Sequence, residues 1–476
     1  MGQDDRLGAM PAVEMVQQFA QRTLSPVEVH EAVQAVIERA EPVLNAFWIR
    51  DPEQSRKAAA ASEQRWLTGE PLGPLDGVPV TLKENLARKA VPMPAGTAGV
   101  QPQVPLADAP PTARIQEAGG VVLGSTVMPD WGMLSSGVSS LHGITRSPWN
   151  PAWTPGGSSS GAGAAAAAGY GPLHVGSDIG GSIRLPGTWL GLSTLKPSYG
   201  RVPLDDPYPG RVAGPLTRTV ADSVLLMQVI SRPDVRDWTS LPPAQLDWSS
   251  TPLAPAGMQV GVHLDAGCGA PPDRAVVDAV RAVAALFEKA GAVVEEVDPF
   301  MNQDLLDSLD TFWQVRSWND YQGLSAEQKR RVLPYIVEWC SGGAEVTGRR
   351  LIQCQHQIMR IQARAVAATA PYDVVVSPVT PVAAFPAEQP MPFMEKGQGM
   401  WHIGFTAPYS MSGQPAATVN CGFTEDGKPI GVQISGRRFD DIGVLRASAW
   451  YEQERPPSAV PMWPTLINIQ ADQETR

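Results

Sequence analysis

The stretch TPGGSSSGAGAAAAAG, Thr154 to Gly169, sets three consecutive serines between glycine pairs and runs straight into alanines. Ala162–Ala168 is composed for a helix, so the serines stand at a helix entrance. Loops of this kind cradle phosphates, present a nucleophile on a sharp turn, or let backbones pack closely. A Walker loop places a lysine after its glycines, and none follows here. Gly161-Ala-Gly163-Ala-Ala-Ala166 fits the looser dinucleotide pattern, but that fingerprint leaves a strand directly. The approach here, SPWNPAWTP, holds three prolines. Gly157-Ser-Ser159-Ser-Gly161 satisfies GxSxG in form; the same prolines oppose the strand that such an elbow requires. Its base would have to be a later histidine, and His263, His356 and His402 sit in no recognisable context. Close packing of small residues is the plain alternative.

Two neighbouring segments bear on the choice. GSDIGGSIRLP (Gly176–Pro186) is a second glycine–serine cluster. In GPLDGVPVTLKENL, Val78–Leu82 reads as a short buried strand that ends at Lys83. A lysine at the end of an apolar strand is costly to bury unless it is neutralised or paired.

Around these segments short apolar strands alternate with helices, the pattern of an α/β protein. Residues 11–69 read as helical. Ser25-Pro-Val-Glu28 is a capping box with proline at the first helical position. Further strands are expected at Val121–Gly124, Leu173–Gly176, and within MQVGVHL, AVVEEV and DVVVSP. Helices are expected at 112–119 and 272–290, and after Thr219-Val-Ala-Asp222. The chain divides into an N-terminal helical segment (1–70), a core carrying the motifs (71–230), and a remainder of the same domain (231–454). Within that remainder 232–256 reads as a connecting loop and 300–350 as an aromatic-rich helical insertion. A proline-rich tail (455–476) follows.

The net charge of −11 and pI near 5.1 exclude a basic field for nucleic acid and disfavour an anionic membrane surface. Four scattered cysteines make neither a disulfide framework nor a CxxC metal site, and the histidines form no HExxH pair. No signal-peptide pattern or membrane-spanning run is seen. The expectation is a soluble, cytoplasmic protein with reduced thiols.

Together the three segments resemble the amidase signature family of serine hydrolases. PGGSSSG stands where that family has its glycine–serine block, and DIGGSIRLP is close to its nucleophile segment. Lys83 follows a GPLxGVP lead-in. Ser158 comes 75 positions after Lys83 and Ser182 comes 24 after Ser158, spacings that match the family. STLKPSYGRV, AGPLTRTVADSVLLMQVI and PYSMSGQPAATVNCGFTEDGKPIGVQISGRRFDD extend the likeness from about residue 25 to 452. The resemblance implies one α/β domain, its central mixed sheet of about ten or more strands covered by helices on both faces. It implies Ser182 as nucleophile, Ser158 on a cis peptide bond as proton bridge, and Lys83 as base. It also implies an oxyanion hole at Ile179, Gly180, Gly181 and Ser182, with no metal or cofactor. Lysine can act as a base only if its pKa falls from about 10.4, and burial away from carboxylates lowers it. Asp178 and Arg184 are expected to hold the glycine turn, and Ser159 to bond Asp178 or line the site. The family often has aspartate after the lysine; this chain has Glu84, which on a strand points to the opposite face from Lys83.

Substrate is less sharply marked. MPDWGMLSSG (Met128–Gly137) and the aromatic middle suggest an apolar cleft edged by Trp131, Met133 and Leu134, with Trp313 and Trp318 as further candidates. Such a lining favours aryl or alkyl amides, carbamates and esters over small polar amides. The expected partner is therefore a small molecule, acted on by a monomer or homodimer of aryl acylamidase or urethanase type. Cyclic-oligoamide hydrolysis, the glutaminase subunit of a tRNA-dependent amidotransferase, and an inactive binding scaffold are the alternatives. The amidotransferase reading lacks its basic EVKRRI segment; AEVTGRRLI (Ala344–Ile352) is only a partial counterpart.

Overall fold

The apolar run before Lys83 forms a strand, Pro79–Lys83, with all five residues buried. It belongs to a sheet that organises the chain in the computed structural model, which describes residues 2–464. In chain order the strands are β1 Phe47–Arg50, β2 Pro79–Lys83, β3 Val121–Thr126, β4 Val138–Ser139, β5 Gly143–Ile144, β6 Leu173–Asp178 and β7 Ser193–Lys196. They continue as β8 Val212–Thr217, β9 Gln259–Val262, β10 Val293–Glu296, β11 Val374–Pro378, β12 Ala416–Phe423 and β13 Pro429–Gly436. Strands β4 and β5 pair as a small ribbon, and the other eleven form one sheet in the order β1-β3-β2-β6-β8-β7-β12-β13-β11-β9-β10.

The sheet is mixed. β2 is parallel to β3 and β6, and β9 to β10 and β11, whereas the run from β6 through β13 to β11 is antiparallel. Strands β2, β6, β8, β11 and β13 are buried at every position. Successive side chains point to opposite faces, so both faces are covered, and the covering elements are helices. This is one α/β domain.

The helices start where the sequence marks them. Ser25 Oγ accepts from the Val27 N–H at 3.0 Å, and Glu28 Oε2 accepts from the Ser25 N–H at 2.8 Å. Thr219 caps Val220–Ile230 through the Asp222 N–H. The expectation that residues 11–69 are helical holds for most of the span and is corrected at one strand. That span holds helices at Ala12–Gln21, Pro26–Leu44 and Pro52–Thr68, and between the last two Phe47–Arg50 pairs with β3 as the sheet edge. Among the described residues no regular element lies between Ile230 and Gln259.

Beyond β10 the chain forms helices Gln303–Gln322, Ala326–Lys329, Pro334–Ser341 and Gly348–Thr369. Their apolar side chains join Met133, Leu134, Leu185 and Ile403 in a core cluster apart from the one around the sheet's first strands. The four cysteines are free. Of the expected tail, residues 465–476 lie outside the described residues; before them, Ala459 O accepts from Asn420 Nδ2 at 2.9 Å, so that part lies on β12. Among the described residues no helix is long and apolar enough to cross a membrane.

Candidate active site

Parallel pairing of β2 and β6 carries Lys83 and Asp178 to the same end of the sheet, where both strands stop. The helix Ser160–Ala168 packs on them, and its alanines are all buried, so the serines at its entrance meet the strand ends. Lys83 Nζ lies 2.8 Å from Ser158 Oγ, 3.1 Å from Ser177 Oγ and 3.2 Å from Ser159 Oγ. Three hydroxyl oxygens surround the amine and no carboxylate pairs with it among the described residues. Burial pushes the Lys83 pKa down to about 7; the Arg211 charge works in the same direction, against Asp178 and Glu84. With a pKa of about 7, a large share of the amine is neutral at physiological pH.

Glu84 turns away from Lys83 and bonds His142 Nε2 at 2.8 Å. Ser159 does not reach Asp178: its hydroxyl donates to Ser177 O at 3.2 Å and accepts from the Ser177 N–H at 3.2 Å. Ser177 is a site residue that the sequence reading passed over. Asn85 Nδ2 donates to the same Ser177 oxygen at 3.0 Å. The available signal was its polarity, because Ser177 is a hydroxyl in a strand buried at every position.

The Gly157–Ser158 peptide bond is cis. Gly157 packs so closely on the 134–136 backbone that a Cβ would come within 2.4 Å of Ser136 O. The Ser159 N–H donates to Ser182 O at 3.2 Å, which joins the two serine segments. Against the GxSxG reading, Ser159 is partnered by Lys83 and Ser177, with no histidine. His402 bonds Ser135 at 2.6 Å, and His263 stacks on Phe300.

Asp178 and Arg184 are fully buried and form a two-pronged ion pair, Nε to Oδ2 at 3.0 Å and Nη2 to Oδ1 at 2.9 Å. Arg184 spends its remaining donors on Thr406 O, Gln433 Oε1 and Ser410 Oγ. Burial would raise the Asp178 pKa, but the Arg184 charge outweighs it and holds the carboxyl at about 2. The carboxylate also accepts from the Gly181 N–H at 2.8 Å and the Ile183 N–H at 3.1 Å. Gly181 has φ +132°, open to glycine and strained for other residues. Its N–H is taken by Asp178, which narrows the expected oxyanion set. Among the described residues the N–H groups of Ile179, Gly180 and Ser182 carry no hydrogen bond, and these three residues line the cleft.

Ser182 lines a cleft that is open to solvent and measures about 320 Å³ with its open side counted. Met133, Leu134, Leu185, Trp313, Met400 and Ile403 form its apolar walls. Trp131 is not on the wall; its N–H donates to Ala95 O at 2.8 Å and its backbone turns there with φ 51°. Trp318 stacks on Tyr321 with ring centroids 5.5 Å apart, away from the lining. Met400 and Ile403 come from an irregular segment without periodicity, so no local pattern marks them.

The Amidase family model matches residues 28–445. The chain is 33% identical to an acylamidase of Rhodococcus erythropolis, covering 95% of this chain and 97% of that one. It is 32% identical to a glutamyl-tRNA(Gln) amidotransferase subunit of Chloroflexus aurantiacus, covering 90% and 93%. The crystal structure of a bacterial aryl acylamidase of the amidase signature family superposes with a TM-score of 0.86 at 28% identity, covering 94% and 96%.

Proposed function

The chain belongs to the amidase signature family and is a hydrolase of carbon–nitrogen bonds; from that premise we propose that it cleaves aryl and alkyl amides through an acyl-enzyme on Ser182. The observation that carries this reading is Lys83, buried, held near neutrality and 2.8 Å from Ser158 Oγ. Ser182 attacks the carbonyl carbon while Ser158 takes its proton and passes its own to Lys83. The N–H groups of Ile179, Gly180 and Ser182 receive the oxyanion. Asp178 and Arg184 act through the turn they hold. The proton returns along the same chain to the leaving nitrogen, and water, activated in the same way, releases the acid.

The apolar walls support an aryl or alkyl acyl group or leaving group over a small polar amide. Carbamates and esters present the same carbonyl and belong to the same proposed range. Glutaminase action, the alternative suggested by the amidotransferase relatives, would require partners for the ammonium as well as the carboxylate of an amino acid head group, and no acidic side chain lines the cleft among the described residues.

Labelling with a fluorophosphonate, followed by turnover of 4-nitroacetanilide, an aliphatic amide, an aryl carbamate and glutamine, tests the reading. Label is expected on Ser182 and abolished in Ser182→Ala, with the anilide turned over faster than glutamine. A Ser182→Ala variant keeping a tenth of the activity, or ammonia release from glutamine alone, overturns it.

A further inference from the structure

Two arginines stand beside the cleft without an acid partner. Arg211 directly precedes Val212, the residue that pairs with Asp178 in the β6–β8 ladder, so it lies next to the glycine turn. Its Nη2 donates to Asn85 O at 3.1 Å, and its Nε is buried with no partner. A Cβ on the adjacent Gly210 would come within 3.7 Å of Ile179, which lines the cleft. Arg316 follows Trp313 by one turn on Gln303–Gln322. Its Nη2 lies 2.9 Å from Met133 Sδ, and its guanidinium carbon sits 5.1 Å from the centre of the Tyr208 ring. Tyr208 O in turn accepts from the Arg211 N–H at 2.9 Å.

One loop thus ties both guanidiniums to the cleft, one beside the glycine turn and one against Met133. Neither forms an ion pair among the described residues. Burial lowers the Arg211 pKa, the Arg316 charge lowers it further, and the exposed Asp206 is the acid that opposes them. Like charges held together at a partly buried site are costly, and a bound carboxylate relieves the repulsion. Guanidinium groups suit carboxylates because two parallel N–H bonds match two oxygens.

We propose that Arg211 and Arg316 form a carboxylate-recognition site beside the catalytic cleft, so that the favoured substrates are amides bearing a carboxylate away from the scissile bond. The proposal rests on the amide-hydrolase reading and narrows it to amphiphilic substrates, with an apolar part against Trp313 and Ile403 and an anionic end at the arginines.

Two matched pairs test it. The 4-nitroanilides of butyric and succinic acid place the carboxylate on the acyl side. 4-Acetamidotoluene and 4-acetamidobenzoate place it on the leaving-group side. At low ionic strength the acid member of one pair is expected to have a kcat/KM about ten-fold or more above its neutral partner. Salt should erode that advantage. The ratio of acid to neutral kcat/KM is expected to fall toward one in Arg211→Gln and Arg316→Gln, with part of it restored in Arg316→Lys. The ratio is the readout because the Arg211 charge also bears on Lys83. Equal turnover within both pairs, or a ratio unchanged in both glutamine variants, overturns the proposal. Absence of turnover of the neutral anilides is a separate result, which strikes the amide-hydrolase reading and takes this proposal with it.

Discussion

Lys83 Nζ stands 2.8 Å from Ser158 Oγ, although 75 positions separate them in the chain. The contact sets a pH dependence. With a Lys83 pKa of about 7, the amine is a proton acceptor above that value and a blocked cation below it. kcat/KM should therefore rise through an acid limb centred near pH 7 and hold on the alkaline side. Lys83→Ala should lower kcat by about 10²–10⁴-fold, the usual worth of a positioned base. A profile flat from pH 5 to 9 in the wild type would remove Lys83 from the proton path.

The Asp178–Arg184 pair predicts a coupled loss of stability and rate. Asp178→Asn leaves Arg184 buried without its counter-charge, which should cost about 3–5 kcal/mol in urea unfolding. The Gly181 and Ile183 N–H groups lose a charged acceptor in the same variant, so kcat should fall even where the protein is fully folded. The wild-type carboxyl is held at about 2 against an unfolded value near 3.9. Its contribution is fully present above about pH 4 and is lost as pH falls through about 2. Activity that survives Asp178→Asn in the folded state would leave the pair with a structural role alone.

Substituting Lys196 should have the opposite effect on stability from substituting Asp178. It lies wholly buried in β7, with a hydrogen bond to Pro197 O at 2.8 Å, and burial together with the Arg184 charge pushes its pKa to about 7. An unfolded lysine titrates near 10.4, so between about 7 and 10.4 the unfolded chain binds a proton that the native one does not. Native stability from this residue therefore increases with pH across that window. Lys196→Met removes the penalty and should raise stability by about 1 kcal/mol or more at pH 7, with a shallower rise toward pH 10. Thermal unfolding at pH 7 and 9 measures both; a lower Tm at both values would show that the amine stabilises the fold through Asp178 and Asp441, whose charges oppose the downward shift.

What could be read in the sequence depended on the range of the signal. Ser25 and Glu28 announce their helix because the capping box is local, and Lys83 announces itself because an amine ends an apolar run. The outer strands β3, β9, β10 and β11 are legible as short runs of valine. The central strands were harder. β8 reads VAGPLT, and β7, β12 and β13 mix Ser, Asn, Gly and Gln into segments buried on both faces, so no alternation survives to mark them. β1 hides between two helices because four residues are too few for a period. At the site, Lys83, Ser158 and Ser182 were legible through motif spacing, whereas Ser177 and the 400–403 wall are brought in by the sheet and by a long irregular segment. Trp131, expected at the rim with its neighbours Met133 and Leu134, and Trp318, from the aromatic middle, are both outside the cleft lining.

The close approach of Gly180 to Trp313 yields a reciprocal prediction. A Cβ on Gly180 would come within 3.1 Å of the Trp313 ring and 3.7 Å of Ile403 Cδ1. Gly180→Ala therefore narrows the space beside Ser182 and crowds the turn that carries an oxyanion N–H, and kcat/KM for an anilide should drop about ten-fold or more, as for a lost oxyanion donor. Trp313→Ala removes part of the apolar wall of the cleft that holds Ser182 and should raise KM for anilides more than for short aliphatic amides. In the double variant the clash is gone because its partner is gone. The two changes should then be non-additive, as expected for residues in contact, with the double variant losing less kcat/KM than the product of the two single losses. Strict multiplicativity for anilide kcat/KM would mean that Gly180 and Trp313 act independently, and the cleft between them would not be where the aryl group binds.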